Sequence, residues 1–470
     1  MLRSVAESGD NSGPGFRVWY VEESIDAIEP RDTDPQDGIP DLAPLIASTG
    51  NRVHQYLVDT LGFRPPLVDT NHLPAASVGG DSLFDIYLMN FGSGDGSYRS
   101  EGCLPEQGWC FGYVAMENDF HQGGYPSLQI AADVLVSHEY FHAIGAAYST
   151  EVDVKWNEGS AVWAEEKFNP EQEDFERLIG VFLRKPWRPF DRSAGSAFDG
   201  WAYGTGLWVW FLDERYGESI VVDIWEGLDA SRGEVGSFLD VTDTLLRSDY
   251  NSSLEEAWVE FSQWNFFTGS RSVPSRSYSG SEGWEEVAQE PLELAEDSGN
   301  FSVEQQAEGL SSRYTPISLP DLGGKEKQLW VEVEDGVPVS ATAYLWDGTV
   351  SAAIPLELVS GVTEDGVFRV STKVSWSGTP RLVVVVTGTV RGAGQRTVRI
   401  LMREVVVEPE VDAEMPSPSG CAAGGSSQGG IFLIACWAAL LFLRRSGRQR
   451  LRPHPCSISR TLNLRAVRLQ

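Results

Sequence analysis

The run Val136-Ser137-His138-Glu139-Tyr140-Phe141-His142 carries the clearest chemistry in the chain. His138 and His142 stand four apart, so a helix presents both imidazoles on one face, where they can share one zinc ion. Glu139 lies beside the first of them, placed to take a proton from water held by that ion. A catalytic zinc needs three protein ligands and one open position. The chain has only six histidines, and the next after His142 is His454, so a His₃ site of the HExxHxxGxxH kind is excluded and a carboxylate must serve. Glu158 in WNEGSAVWAEE is the first candidate, with fifteen residues between it and His142. Glu165 stands seven residues further on, nearly on the same helical face, as alternative ligand or as support. The structural reading of the pair is a buried helix whose histidines are satisfied by hydrogen bonds. The apolar neighbours Ile130, Leu135, Val136, Phe141 and Ile144 also suit an ion-binding face anchored in a core.

A second cation site is suggested by Asp32, Asp34, Asp37 and Asp41. These resemble loops that bind calcium through hard oxygen ligands, with one residue too many between Asp34 and Asp37. A plain acidic turn is the alternative. No CxxC pair exists, so a zinc ribbon is out. Cys103 and Cys110 bracket a short segment, CLPEQGWC, that can close as a disulfide in an oxidising compartment.

The elements that must position these groups read as follows. FRVWYVE (16–22), FDIYLMNFG (84–92) and CFGYVAME (110–117) are strand-like, and the stretch between the last two reads as a Gly-rich loop. Helices are expected over 42–61, 127–147, 158–168, 171–184, 203–217 and 253–267. The strand ending in Glu117 precedes the motif helix and is expected to be the edge that pairs with substrate backbone. Residues 1–100 form an N-terminal lobe with the Asp-rich turn, and 101–270 the zinc-binding helical part. Residues 271–305 read as a linker, and 306–406, with short β-rich runs at regular spacing, as a small β-sandwich. An acidic Pro/Ser/Gly spacer (407–428), a short apolar segment (429–445) and a basic tail (446–470) complete the chain.

The formal net charge is −32, which argues against nucleic acid, because phosphate backbones need a basic footprint. Eight arginines and no acid lie in 444–470, directly after the apolar run Ile431–Leu443. As a helix that run rises about 20 Å, against roughly 30 Å of hydrocarbon, so it reads as a short membrane-directed tail with its arginines on the cytoplasmic side. Met1 opens onto a segment without an apolar h-region, so an export leader is expected upstream of this start.

On these residues the chain resembles known families. WNEGSA is similar to the helix that supplies the glutamate ligand of gluzincin metallopeptidases, with a shorter connection from HExxH than is usual there. The order DGIPD, DIYLMNFG, ENDF, HEYFHAI, WNEGSAVWAEE, YGTGLWVWFLDERYG and WNFFTG, over roughly 15–270, resembles secreted bacterial metalloproteases prominent in myxobacteria. The resemblance implies an α+β fold: a zincin-like domain of mixed sheet and active-site helices, then an all-β sandwich and a C-terminal sorting helix. It implies zinc at His138, His142 and Glu158, with Glu139 as catalyst. By analogy Tyr203 in WAYGTG is the candidate oxyanion donor, against a packing role among Trp201, Trp208 and Trp210. Ser419-Gly420-Cys421, the Gly/Ser stretch, the apolar run and Arg444-Arg445 look like a MYXO-CTERM-type sorting signal. That implies export, processing near Cys421 and attachment to the cell surface or release.

The leading expectation is a zinc-dependent endopeptidase acting on protein or peptide, exported and surface-anchored. The rival is an adhesion or binding protein on a metallopeptidase-like scaffold, which has no need of a base between two ligands. A zinc hydrolase of non-peptide substrates is a third reading, since the same water activation serves other acyl groups.

Overall fold

Alternation decides the first sheet. In the computed structural model, strand β2 (Phe16–Tyr20) buries Phe16, Val18 and Tyr20 on one face, and β1 (Arg3–Glu7) folds back on it antiparallel. The structure describes residues 1–405 except 10–14, 30–31, 34, 75–78, 122, 196–198, 232–236, 291–297, 347–353, 356 and 359–365. Helix α1 (Leu42–His54), extended by a π-helical turn at Gln55–Thr60, carries the chain over to β3 (Phe84–Met89), parallel to β2. A crossover helix is what joining two parallel strands requires. β4 (Gly96–Leu104) and β5 (Trp109–Glu117) then form a hairpin, with β5 parallel to β3. The sheet order is β1-β2-β3-β5-β4.

This order corrects the expected edge strand. β5 is interior, and β4 is the antiparallel edge. Residues 96–104, within the stretch read as a Gly-rich loop, are a full strand that also crosses the expected lobe boundary at 100. Cys103 and Cys110 are direct cross-strand partners joined as a disulfide, Cα atoms 4.0 Å apart.

The helical layer follows. α2 (Leu128–Ala146) carries both histidines and is followed by α3 (Val154–Phe168) and α4 (Asp174–Leu183). The stretch expected as one helix over 203–217 is two, α5 (Gly200–Gly204) and α6 (Gly206–Tyr216). Two further helices, α7 (Ser219–Ala230) and α8 (Phe238–Asp249), precede α9 (Leu254–Phe266). Their shared core is unusually aromatic: Trp156, Trp163, Trp201, Trp208, Trp225 and Trp258 are all fully buried. Truncating any one would cost on the order of 3–5 kcal/mol.

The C-terminal part is a pair of antiparallel sheets. Its strands are β6 (Phe301–Ala307), β7 (Ser312–Ser318), β8 (Glu326–Val333), β9 (Val339–Trp346), β10 (Ile354–Pro355), β11 (Glu357–Leu358), β12 (Phe368–Ser375), β13 (Arg381–Gly388) and β14 (Arg396–Glu404). One sheet runs β10-β9-β13-β7 and the other β11-β12-β8-β14-β6. Leu329, Val331, Val333, Val384, Val386, Val398 and Ile400 fill the space between them. The run Leu382–Val386 has no polar interruption because β13 is central and covered on both faces. Val383 and Val385 face the helical core, where Tyr344 stacks on Phe266 at 4.9 Å.

Residues 271–290 are packed, not a free linker. Tyr278 is buried and donates to Asn265 Oδ1 at 2.5 Å, Arg271 pairs with Glu286, and Ala288 N–H donates to Leu183 O at 2.8 Å. Aromatic anchors at 278 and 284 inside a Ser-rich run are the physical reason. Among the described residues no helix is long and apolar enough to cross a membrane. The expected sorting helix at 429–445 lies outside them, as do the spacer and the basic tail.

Candidate metal centre

α2 starts on Ser127, whose Oγ accepts from Ile130 N–H at 3.2 Å. Every residue from Ala131 to Phe141 is buried, so the two histidines project from a helix held on all sides. α3 starts on Asp153, which accepts from Lys155 N–H at 2.9 Å, and lays Glu158 and Glu165 against α2. Gly159 lets α3 come close to the α5–α6 junction, because a Cβ there would sit 2.8 Å from Thr205 Oγ1 and 3.1 Å from Gly206 N. A side chain at 159 would force α3 or the α5–α6 junction to shift.

Three atoms converge. His138 Nε2 and His142 Nε2 are 3.1 Å apart, and Glu158 Oε2 is 3.4 Å from each. Zinc ligands at about 2.0–2.1 Å in a tetrahedron stand roughly 3.3 Å from one another. Glu158 Oε2 is buried and has no hydrogen-bond partner among the described residues, although it lies against two imidazoles. That is the signature of atoms aimed at a common point, not at each other. These three residues could hold a metal ion, and among the described residues they are the one group of three or more His, Cys, Asp or Glu drawn together this tightly.

Glu165 is not in the triad. Its Oε1 accepts from His138 Nδ1, which leaves the Nε2 lone pair for the triad centre. The remaining electrostatics fit a charged cluster. Burial opposes the Glu158 charge, but the two histidines outweigh it and hold that carboxyl well below the usual range. Burial raises Glu165 to about 7, with His138 opposing. Glu139 is also raised by burial, again against the pull of His142 and His138.

Glu139 sits on the β4 side. The Tyr98 backbone N–H donates to its carboxylate, and its Oε2 is buried without a partner. Gly96 makes that approach possible, since a Cβ there would fall 2.7 Å from both Cγ and Oε1 of Glu139. Tyr203 stacks over His138 with ring centroids 5.7 Å apart and planes at 19°. Its hydroxyl faces Glu158, and burial with the nearby carboxylates raises its pKa well above ordinary. The centre opens into a cleft of about 830 Å³, walled by β4, α2, α3, α4 and Tyr203.

The sequence overlooks four cleft residues: Gly96, Tyr98, Tyr125 and Asp174. The cysteine pair held the missing signal, because half-cystines flanking a Pro-Glu-Gln-Gly turn imply a strand before Cys103.

The Asp-rich turn does not converge. Asp32 accepts from the N–H groups of Asp37 (3.1 Å) and Gly38 (2.7 Å), Asp37 from Ile39 N–H (2.9 Å), and Asp41 from Thr33. These carboxylates act as turn acceptors. Asp34 lies outside the described residues.

No protein-family profile matches the chain, and no curated protein matches it in sequence. Among solved structures, a periplasmic inhibitor of g-type lysozyme from Salmonella Typhimurium aligns at 12% identity and TM-score 0.17, covering 24% of this chain and 96% of that one. A GH115 4-O-methyl-α-glucuronidase with specificity for decorated arabinogalactans aligns at 9% identity and TM-score 0.16, covering 62% of this chain and 46% of that one. Scores this low bear on neither fold nor function.

Proposed function

We propose that this protein is a zinc-dependent endopeptidase with Glu139 as its general base, related to the secreted bacterial metalloproteases that its motifs resemble. The observation that carries the reading is the convergence of His138 Nε2, His142 Nε2 and Glu158 Oε2 within 3.4 Å, beside a buried, unpartnered Glu139 oxygen. Two imidazoles and one carboxylate suit zinc, and leave a position open. When bound, zinc supplies Lewis acidity to a water molecule and to a peptide carbonyl.

The chain's own groups do the rest. His138, His142 and Glu158 would hold the ion, and Glu165 favours the tautomer of His138 that can do so. Glu139 Oε2 takes the proton from water and returns it to the leaving amine. Tyr98 N–H keeps the other part of that carboxylate in place. The Tyr203 hydroxyl is the donor for the developing oxyanion. β4, as an edge strand along the cleft, offers unpaired main-chain groups to an extended peptide.

Export belongs to the same proposal. The Cys103–Cys110 disulfide fits an oxidising compartment, and Ile431–Leu443 followed by Arg444 and Arg445 is the proposed sorting or membrane segment. The test is paired: bound zinc and casein cleavage are measured for wild type and Glu139→Gln. One zinc per chain in both, with cleavage by wild type alone, is the expected result. A folded chain that binds no zinc would sink the reading and favour the adhesion protein on a metallopeptidase-like scaffold.

A further inference from the structure

Towards Glu165, on the Nδ1 side of His138, the cleft is lined by a second polar group that the hydrolytic chemistry does not use. Tyr125, from the loop ahead of α2, donates its hydroxyl to Asp95 Oδ2 at 3.1 Å. Asp95, Asp174 and Glu165 all act electrostatically on that hydroxyl. All four residues line the same cleft as the triad. Glu165 is only 2% exposed, and while Oε1 meets His138, its Oε2 is buried without a hydrogen-bond partner. Arg177 pairs with Asp174, but its side chain is 69% exposed, so it lies at the mouth and not in the interior. His138 meets Glu165 and Arg177 meets Asp174, which leaves Asp95 with the neutral Tyr125 hydroxyl as its side-chain hydrogen-bond partner in the cleft among the described residues.

What completes such a group depends on spacing. A bare metal ion needs oxygens drawn into one coordination sphere, and these acids are not gathered that closely; only His138, His142 and Glu158 are, among the described residues. A cation whose N–H donors are spread over a few ångströms bridges the wider spacing, as an ammonium or guanidinium does. Leu135 and Leu178 line the same cleft and suit the methylene stem of a long basic side chain. The net charge of −32 draws cationic peptides towards the protein in the first place.

We propose that this part of the cleft is a specificity pocket for a lysine or arginine side chain of the substrate, with Asp95 and Asp174 as its anionic floor, the unpartnered Glu165 Oε2 as a further acceptor and Tyr125 as a neutral orienting donor. The inference rests on the peptidase reading of the adjacent centre and names the substrate class it takes: basic peptide segments.

The experiment is built so that the two readings fail separately. Full-length Glu139→Gln, loaded with zinc, is titrated calorimetrically with short blocked alanine peptides that carry one lysine, or one norleucine, at each position in turn. At one position lysine is expected to bind about tenfold tighter than norleucine, and Asp95→Asn in the same background to remove most of that ratio. Asp174→Asn, checked for folding by near-UV circular dichroism, serves as the second variant. Equal affinities at every position, a ratio that both variants leave intact, or no binding at millimolar peptide each overturn the pocket. Cleavage of the same peptides by zinc-loaded wild type is scored independently. A lysine preference in binding without any cleavage keeps the pocket and removes the peptidase, whereas cleavage without lysine preference does the reverse.

Discussion

His138 meets Glu165 through Nδ1, the carboxylate accepting, and points its Nε2 at Glu158, so two glutamates seven residues apart on α3 grip opposite nitrogens of one imidazole. The i, i+7 spacing sets both carboxylates on one face, and their distance along the helix sorts them into ligand and orienting group. Exchanging their roles would require turning the ring.

The first prediction separates those roles. Glu158→Ala removes one of the three atoms placed to hold a metal ion and is expected to abolish stoichiometric zinc binding. Glu165→Ala keeps all three ligand atoms and is expected to weaken zinc affinity by roughly 10–100-fold. Competition with a chelator of known affinity reads both. Equal losses would mean that Glu165 coordinates directly.

Gly96 carries the second. Its Cβ would meet Glu139 Cγ and Oε1 at 2.7 Å, and Glu139, only 6% exposed, has little room to retreat. If the proposed peptidase reading holds, Gly96→Ala is expected to leave zinc binding intact and to lower casein turnover by up to about 100-fold through displacement of the proposed base. If turnover is unchanged, β4 does not confine the Glu139 carboxylate during the proposed reaction.

How far the sequence foretold this depends on which physical signal each element carries. The motif helix is legible because i, i+4 histidines in an apolar run have one helical solution, and the search for a carboxylate to complete the set picks out Glu158, which the fold brings beside both imidazoles. Whether Glu165 binds or orients is not legible, since spacing alone does not say which ring nitrogen it meets. β4 is hidden by its Gly- and Ser-rich composition, which reads as loop. β5 is interior and not the expected edge because it is buried on both faces over Cys110–Gly112 and Val114–Glu117. α7, absent from the expected helices, does carry Ile220, Val221, Ile224, Trp225 and Leu228 at helical intervals.

The third prediction concerns pH. Burial, with Asp69 and Asp81 nearby, raises Asp85 to about 6 against the opposing hydrogen bond from Trp19 Nε1 at 2.7 Å. Unfolded, the same carboxyl loses its proton near pH 4. Between those values the folded state binds more protons, so stability falls as pH rises from about 4 to about 6 and stays lower above, a cost on the order of 2–3 kcal/mol. Asp85→Asn keeps an acceptor for the indole and removes the charge. It is expected to melt higher than wild type at pH 7.5 and to lose that advantage near pH 4. An advantage that is constant across the range would mean that packing, not ionisation, is responsible.

The fourth prediction turns on a hydroxyl. Tyr203 has two contacts with the centre: its ring stacks on His138, and its hydroxyl faces Glu158. Tyr203→Phe preserves the ring, so zinc affinity and melting temperature are expected to stay close to wild type. The hydroxyl is the proposed oxyanion donor, and removing one such donor costs about 10²–10³ in kcat, with KM little changed, because the interaction is made in the transition state and not with the bound peptide. A loss confined to KM would place the hydroxyl in substrate binding. Full activity in the phenylalanine variant would leave Tyr203 as a packing residue, the role its tryptophan-rich surroundings also permit, and would move the search for the donor to other polar groups of the cleft.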